Sequence, residues 1–432
     1  MRVLWLCNIM LPAYARAHNL EYSFREGWLS GCLSRITEGK KDDVSIELGV
    51  CFPAEGDIAA SSEVIDSVTY YGFREDLAHP ETYDGTVENR FHVILDDFKP
   101  DIVHIFGTEF PHSLAMIRAF GEPSRVLLGI QGICTVIADE YMAGIPEEVQ
   151  RSATFRDRIK EDSLLQQQEK FRNRAEYERE AIMLTGNITG RTDFDRRETE
   201  KINPGARYFE MNETMRPCFY MGKWSEKKAE PHSIFLSQGD YPLKGFHFVL
   251  QAMPEILEKY PDAHIYVAGN NIVGRGRSGA PFFLRASAYS KYIKGLISRN
   301  RLKKKVTMLG MQDDQGMKEQ LLKASLFVCP SIVENSPNSL GEAMLLGVPT
   351  VAARCGGIPS MLNEHKDGLL FEKGNPEDLA KAVLQMWDEP VIAAVYGDNA
   401  SIHARVTHNP DANYKRLIEI YETIIEEKQP RA

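Results

Sequence analysis

The sequence contains no cysteine pair at metal-ligand spacing. Its seven cysteines, Cys7, Cys32, Cys51, Cys134, Cys218, Cys329 and Cys355, are odd in number and scattered, several within apolar runs. That argues against a zinc module and a disulfide framework, and reads as reduced, mostly buried thiols of a cytoplasmic protein. No apolar run reaches transmembrane length. The opening MRVLWLCNIMLP has a short apolar run and no small-residue cleavage site, so it reads as a first strand rather than a signal peptide. There is no short-period repeat and no low-complexity tract. Basic charge is not in excess either. The net charge of −10 argues against nonspecific nucleic-acid binding as the main role. The 432 residues are too many for one ordinary core and suit two domains. At 43% hydrophobic and 26% charged, the balance is globular.

The most informative stretch is LFVCPSIVENSPNSLGEAMLLGVPTVAA, residues 326–353. Residues 326–329 are an apolar run of buried-strand type, stopped by Pro330. Ser336 fits a helix N-cap, Pro337 the first helical position, and Gly347 the place just past the helix end. Residues 349–353 suit a second strand. A helix start therefore opens at the carboxyl end of a strand, where open α/β sheets bind ligands and where anions such as phosphate are favoured. Glu334 and Glu342 flank that start, with seven residues between them. Bare carboxylates repel phosphate but accept hydrogen bonds from hydroxyls. The combination suggests a phosphate that carries sugars, such as a nucleotide sugar.

The rest of the chain alternates strand and helix. In the first half, strands are expected at 3–6, 44–52, 102–106 and 126–130, with helices at 26–36, 88–98 and 111–120. The helix at 26–36 has Trp28, Leu29, Cys32, Leu33 and Ile36 on one stripe. Residues 61–71 are ambiguous, with a strand near 68–71. His104 lies in an apolar strand and reads as a core histidine. Residues 145–181 are charged and helix-prone, which suits solvated amphipathic helices; an acceptor or membrane-surface role for their Arg and Lys is the sharper alternative. Strands near 181–184 and at 208–209 follow. Residues 212–232 connect to a second alternation. Its strands are expected at 233–236, 265–268 and 306–309, and its helices at 245–260, 289–299, 315–324 and 376–387. A last helix is expected at 413–427. Small or polar residues recur at the strand ends: Ser237 to Gly239, Gly269 to Asn271, Gly310-Met311 and Gly356-Gly357. Glycine there lets a ligand approach the backbone closely.

The segment ENSPNSLGEAMLLGVPTVAARCGGIPSMLNEHKDGLLF resembles the donor-site motif of retaining glycosyltransferases of family 4. The two glutamates, SPNSLGEAM, GGIP and DGLLF stand in the family's order. KPDIVHIFG and GRTDFDRR in the first half are similar to family segments. The resemblance implies the α/β GT-B fold, two Rossmann-like doubly wound domains facing across a cleft. It implies an acceptor-side domain over 1–212, a donor domain over 213–410, and a helix within 411–432 crossing back. It implies that Glu342 binds ribose hydroxyls and Glu334 lies against the donor sugar. Amides around Ser336, Asn338 and Ser339 would hold the diphosphate, and Lys244, followed by Gly245, would neutralise it. Gly239, Gly269 and Gly310 would line the same nucleotide site. No cofactor beyond the nucleotide-sugar donor and no metal is implied. The implied acceptor is a carbohydrate or a lipid-linked one, with at most peripheral membrane contact.

Two positions depart from the family pattern. A phosphate-binding arginine is expected near positions that hold Gln238 and Gly239; Arg191, Arg275 or Arg277 could replace it. A first-domain histidine is expected where Gln131 stands. Glutamine can hydrogen-bond a sugar hydroxyl but cannot take its proton near neutral pH. Asp193 and Asp195 form a D-x-D, a weak metal signal. A nucleotide-sugar epimerase or hydrolase, or a non-catalytic nucleotide-sugar-binding subunit, are the other functions the sequence leaves open.

Overall fold

The computed structural model describes residues 1–21, 27–38, 45–274 and 286–426, without the side chains of residues 27, 28 and 38. Arg275, Arg277, the ends of the expected elements at residues 26, 44 and 427, and Trp28's place on its helix stripe lie outside that description. The chain divides into two compact units. The first comprises Met1–Thr135, Lys170–Arg216 and His408–Ala432, and the second Val136–Glu169 and Pro217–Thr407. Residues 136–169 thus group with the second unit, whereas the sequence division assigns them to the first.

The first unit holds β1 (Arg2–Cys7), β2 (Glu47–Pro53), β3 (Ser62–Ile65), β4 (Val68–Phe73), β5 (Ile102–Phe106), β6 (Val126–Gly129), β7 (Asn187–Gly190) and β8 (Arg207–Glu210). They form one sheet in the order β3-β4-β2-β1-β5-β6-β7-β8. All neighbours run parallel except β3, which turns back antiparallel on β4. The ambiguous stretch at 61–71 is therefore a hairpin at the sheet edge. Parallel strands buried on both faces are mostly apolar, as β1 and β5 are apart from Arg2 at the start of β1 and His104 within β5. The last helix, Pro410–Glu426, packs on this sheet's core through Tyr414, Leu417, Ile420, Tyr421 and Ile424. A buried tyrosine hydroxyl needs partners. Tyr421 accepts from Trp5 Nε1 at 2.9 Å and pairs with His104 Nδ1 at 2.7 Å. Burial drives the His104 pKa down to about 3, so it is a neutral core imidazole.

The second unit holds β9 (Glu230–Leu236), β10 (His264–Ala268), β11 (Val306–Gly310), β12 (Ala324–Cys329), β13 (Thr350–Arg354) and β14 (Leu369–Glu372). Its sheet is parallel throughout, in the order β11-β10-β9-β12-β13-β14. The chain leaves β9 for β10 on one side and later returns to β12 on the other. That reversal is a topological switch point, and it opens a crevice at the carboxyl ends of β9 and β12. The first sheet has the same reversal between β1 and β5.

Two expected elements differ. Residues 181–184 are the end of the helix Leu164–Leu184, not a strand. Ala181 and Ile182 are buried while Met183 and Leu184 are exposed, which is a helical turn rather than an alternation. The short apolar run carries no period of its own, and the long helix-prone run before it decides. The helix starting near Ser336 is Asn338–Leu346, and its N-cap is Pro337, not Ser336. Pro337 has ψ 116°, and its carbonyl accepts from Leu340 N at 3.0 Å. A proline's fixed φ suits this half-extended position as well as the first helical one.

Candidate functional site

In the second unit, three strand-end loops lock onto one another. Lys244 sits in the short turn Pro242–Lys244 after β9, and Glu334 in the loop after β12. Lys244 Nζ lies 2.5 Å from Glu334 Oε1. Ser331 donates its hydroxyl to the same carboxylate oxygen at 2.7 Å. Leu243 O accepts from Ile332 N at 2.8 Å, so the turn and the loop are also joined through their backbones. Burial by itself would weaken the Lys244 charge, but the Glu334 carboxylate beside it raises its pKa above the ordinary lysine range. Lys244 is therefore held in its charged form.

The loop after β13 closes on the same glutamate. Gly357 N donates to Glu334 O at 2.9 Å. Gly356 has φ +49°, and a Cβ there would collide with the Glu334 carbonyl oxygen. Only glycine lets the two loops meet. The Gly356-Gly357 turn thus fixes the backbone that presents Glu334.

Beside this pair the helix Asn338–Leu346 begins without a side-chain cap. Its first amides belong to Asn338 and Ser339, and Ser339 Oγ accepts from Ser237 Oγ, at the end of β9, at 3.1 Å. Asn338 Oδ1 and Asp240 Oδ1 are buried with no hydrogen-bond partner among the described residues. Asp240 Oδ2 accepts from Asn270 Nδ2, after β10, at 2.7 Å. Gly269 N donates to Gly310 O at 3.0 Å, which ties the ends of β10 and β11. Gly239 is buried against Val267 and Phe246, so its missing side chain leaves room for the core. Ser336 is half-buried one residue before the N-cap, and Glu342 is buried on the helix itself. The sheet thus gathers Lys244, Glu334, Ser336, Asn338, Ser339, Glu342, Gly239, Gly269 and Gly310 at the carboxyl edge of one unit. Asp240 and Ser331 join them without a sequence signal beyond a polar residue after a strand.

Gln131 belongs to the first unit, at the end of β6. Its Nε2 donates to Glu213 Oε1 at 3.0 Å. Arg191 forms an ion pair with the same Glu213 oxygen and donates to Ile130 O at 3.0 Å. Arg191 is thus engaged within its own unit. Other side chains converge at the same sheet's carboxyl end. His112 contacts Glu75 through Nδ1 at 2.5 Å and Asn8 through Nε2 at 2.8 Å. Glu178 accepts from Thr108 Oγ1 at 2.6 Å and from Cys134 N at 2.7 Å. Burial raises the Glu178 pKa to about 7, with Glu109 nearby adding to the rise. Sequence reasoning missed this cluster, since Asn8, Glu75 and His112 share no motif.

The D-x-D has a local role. Thr192 and Asp195 form a capping box at the start of the helix Asp193–Ile202, and Tyr208 also donates to Asp195. Asp195 is fully buried in that arrangement. Among the described residues, no group of three or more metal-binding side chains is present, and no helix is long and apolar enough to cross a membrane.

Residues 221–402 match the family described as glycosyl transferases group 1. Over 182 residues, the chain is 27% identical to a D-inositol 3-phosphate glycosyltransferase of Corynebacterium urealyticum, covering 42% of this chain and 41% of that protein. Over 192 residues it is 28% identical to a phosphatidyl-myo-inositol mannosyltransferase of Mycobacterium leprae, covering 44% and 46%. The alignments thus span under half the length of these curated relatives. The fold is similar to that of sucrose-phosphate synthase from Thermosynechococcus elongatus, with TM-score 0.67, 14% identity, and 99% of this chain and 100% of that one covered. It is also similar to Anabaena HepE, solved in complex with UDP-glucose, with TM-score 0.65, 15% identity, and 98% and 100% covered.

Proposed function

We propose, from the match of residues 221–402 to the glycosyl transferases group 1 family, that the protein moves a sugar from a nucleotide-diphosphate donor to a carbohydrate or lipid-linked acceptor with retention of configuration. The observation that carries this is the meeting of Lys244, Glu334 and the uncapped start of Asn338–Leu346 at a switch point. A helix start offers amides and a positive dipole end to a diphosphate. Lys244 adds a full positive charge next to it. Glu342 faces ribose hydroxyls as an acceptor, and Asn338 Oδ1 is a further acceptor for a sugar hydroxyl.

The glycosyl–phosphate bond breaks, and its electron pair stays on the departing diphosphate oxygen. The acceptor hydroxyl oxygen bonds the anomeric carbon from the same face. Its proton passes to the departing phosphate. The protein's work is positioning and charge stabilisation. Glu334 lies next to developing positive charge at the sugar and, through its ion pair, holds Lys244 in place. Gln131 acts as a hydrogen-bonding residue toward a hydroxyl and not as a base.

The test is a thermal-shift screen of UDP-, GDP- and ADP-sugars with the wild type and Glu342→Gln. A ligand that binds only the folded state raises its melting temperature. One nucleotide class is expected to stabilise the wild type and not the variant. Absence of stabilisation by all three, in a folded sample, overturns the donor assignment. A second function has two observations in its favour: Lys244 already shares its charge with Glu334, and no arginine stands at 238–239. A donor that binds without turnover in any acceptor mixture supports a non-catalytic binding subunit.

A further inference from the structure

Positive charge is gathered in one stretch of the second unit. Residues 263–312 contain ten Lys and Arg and no Asp or Glu, in a chain of net charge −10. Within that stretch stands the helix Ala288–Arg299, followed by the turn that leads into β11. A trough of about 460 Å³ runs beside this helix, a volume in the range of ligand sites. Its far wall comes from residues 146–154, and Gln251 joins from the helix Phe246–Lys259. Every lining residue belongs to the second unit, and none belongs to the loops around Lys244 and Glu334.

A buried carboxylate fixes the spacing of the walls. Asp157 Oδ2 accepts from Thr154 N, on the far wall, at 3.0 Å and from Ala288 N, at the helix start, at 2.9 Å. Asp157 is fully buried there. On the helix, Ala288, Lys291, Tyr292, Gly295 and Arg299 share about 100° of the surface. Lys291 and Arg299 stand about 12 Å apart along the axis, with Gly295 midway. Glycine weakens a helix interior. Packing does not require it here, since no atom of the described residues lies within 4 Å of where its Cβ would stand. Its effect is to leave the trough clear between two cations. Lys291 and Arg299 are both exposed, and among the described residues neither side chain forms an ion pair or a hydrogen bond.

The remaining lining suits hydroxyls and sugar rings. Glu148, exposed on the far wall, is an acceptor without an ion pair among the described residues. The Tyr292 hydroxyl accepts from Gln251 Nε2 at 3.2 Å, which leaves its own proton to donate. The Tyr292 ring, Val149 and Leu296 offer apolar surface to the C–H face of a sugar. Two separate cations with a carboxylate across from them match a ligand that carries acid groups and hydroxyls together. A nucleic-acid strand fits less well, because Glu148 faces its phosphates. A bilayer fits less well, because its surface is broad and the trough is narrow.

We infer that the trough between residues 146–154 and the helix Ala288–Arg299 binds a short anionic saccharide, whose acid groups are held by Lys291 and Arg299 on either side of Gly295. This site does not depend on the transfer reaction proposed for the donor loops.

Isothermal titration calorimetry on the full chain, at physiological ionic strength and without donor, tests it. The probes are hexagalacturonate, a heparin-derived hexasaccharide, and maltohexaose as the neutral control. An acidic probe is expected to bind and maltohexaose is not. Lys291→Ala and Arg299→Ala should each weaken binding about tenfold, the loss of a hydrogen bond to a charged group. Gly295→Leu should abolish it, because the new side chain fills the trough without altering charge. Its melting temperature should not fall, since the backbone is helical and the space is open. Lys303→Ala combined with Lys304→Ala, in the same basic stretch but outside the trough, should change affinity by less than about twofold, because distant exposed charges are screened. Glu342→Gln should leave binding intact, which tells a failed donor assignment from a failed trough assignment. No binding of either acidic probe at millimolar concentration overturns the inference. So does equal binding of maltohexaose, or binding indifferent to Gly295→Leu. Binding of a single-stranded oligonucleotide or of phosphatidylcholine–phosphatidylglycerol vesicles that is lost in Gly295→Leu, with neither acidic saccharide bound, overturns it in favour of nucleic acid or lipid.

Discussion

At the carboxyl edge of the second unit's sheet, the loops after β9, β12 and β13 hold one another largely through backbone atoms, with the Lys244–Glu334 pair set among them. At the same edge of the first unit's sheet, the corresponding place is filled by side chains: Asn8, Glu75, His112, Thr108, Glu178, Gln131, Arg191 and Glu213. Both sheets reverse their strand order at a comparable point, so topology does not explain the contrast. Backbone construction fixes a ligand cradle to within the tolerance of a carbonyl contact, which suits a group as constant as a diphosphate. Side-chain construction can be altered one residue at a time without moving a strand, which suits a partner that varies. Four predictions probe that difference, from the largest expected effect to the smallest.

Gly356→Ala should be the most damaging. The new methyl meets the Glu334 carbonyl and the residue must also hold φ +49°. Steric overlap with backbone cannot be relieved by a rotamer change, so the cost should reach about 4 kcal/mol in urea unfolding. Donor-induced stabilisation should vanish with it, because Glu334 moves. A loss under about 1 kcal/mol would show that the loops yield, and the backbone account of this edge would fail.

The contrast also decides what the sequence disclosed. The second unit was legible because its site is written in consecutive residues: the helix start after Pro337, the E-x7-E spacing and the glycine turn at 356–357 all lie within 24 residues. The first unit's strands were legible from their apolar runs, but its polar cluster was not. Asn8 and His112 are 104 residues apart, and His112 and Glu75 are 37 apart. No local pattern marks such a meeting. The helix Pro390–Thr407 escaped for another reason, since its inner face is alanine and glycine and its outer face valine and isoleucine, so no single apolar stripe stands out. Ser336 was misjudged as the cap because proline fits either of two neighbouring positions at a helix start.

Lys244→Met should come next, at about 3 kcal/mol, because it leaves the largely buried Glu334 carboxylate without its cation. Adding Glu334→Leu should restore most of that loss. A double-mutant cycle in urea measures the coupling. Additive single effects would mean the pair is incidental to the junction of the two loops.

The first unit should show its side-chain character through pH. The unfolded chain releases the Glu178 proton near 4.5, and the folded state holds it to about 7. Between those values the folded state binds more proton. Stability from this group is therefore complete below about pH 4.5, falls as pH rises through 7, and is level above. The loss should be about 3 kcal/mol, the hydrogen bonds from Thr108 and the Cys134 amide having already moderated the effect of burial. Comparing the pH dependence of unfolding for the wild type and Glu178→Gln isolates it. Equal slopes in the two proteins would remove Glu178 from the account.

Gly310→Ala should have the smallest effect, and it separates two reasons for glycine on one edge. Gly310 has φ +78°, yet no atom of the described residues lies within 4 Å of where its Cβ would stand. The substitution therefore carries only the cost of a left-handed backbone for alanine, about 1 kcal/mol. Gly356 carries that cost and the collision together. If urea unfolding finds the two substitutions equal, the backbone contact between the β12 and β13 loops contributes nothing beyond conformation, and the rigidity attributed to the second unit's edge resides in φ angles alone.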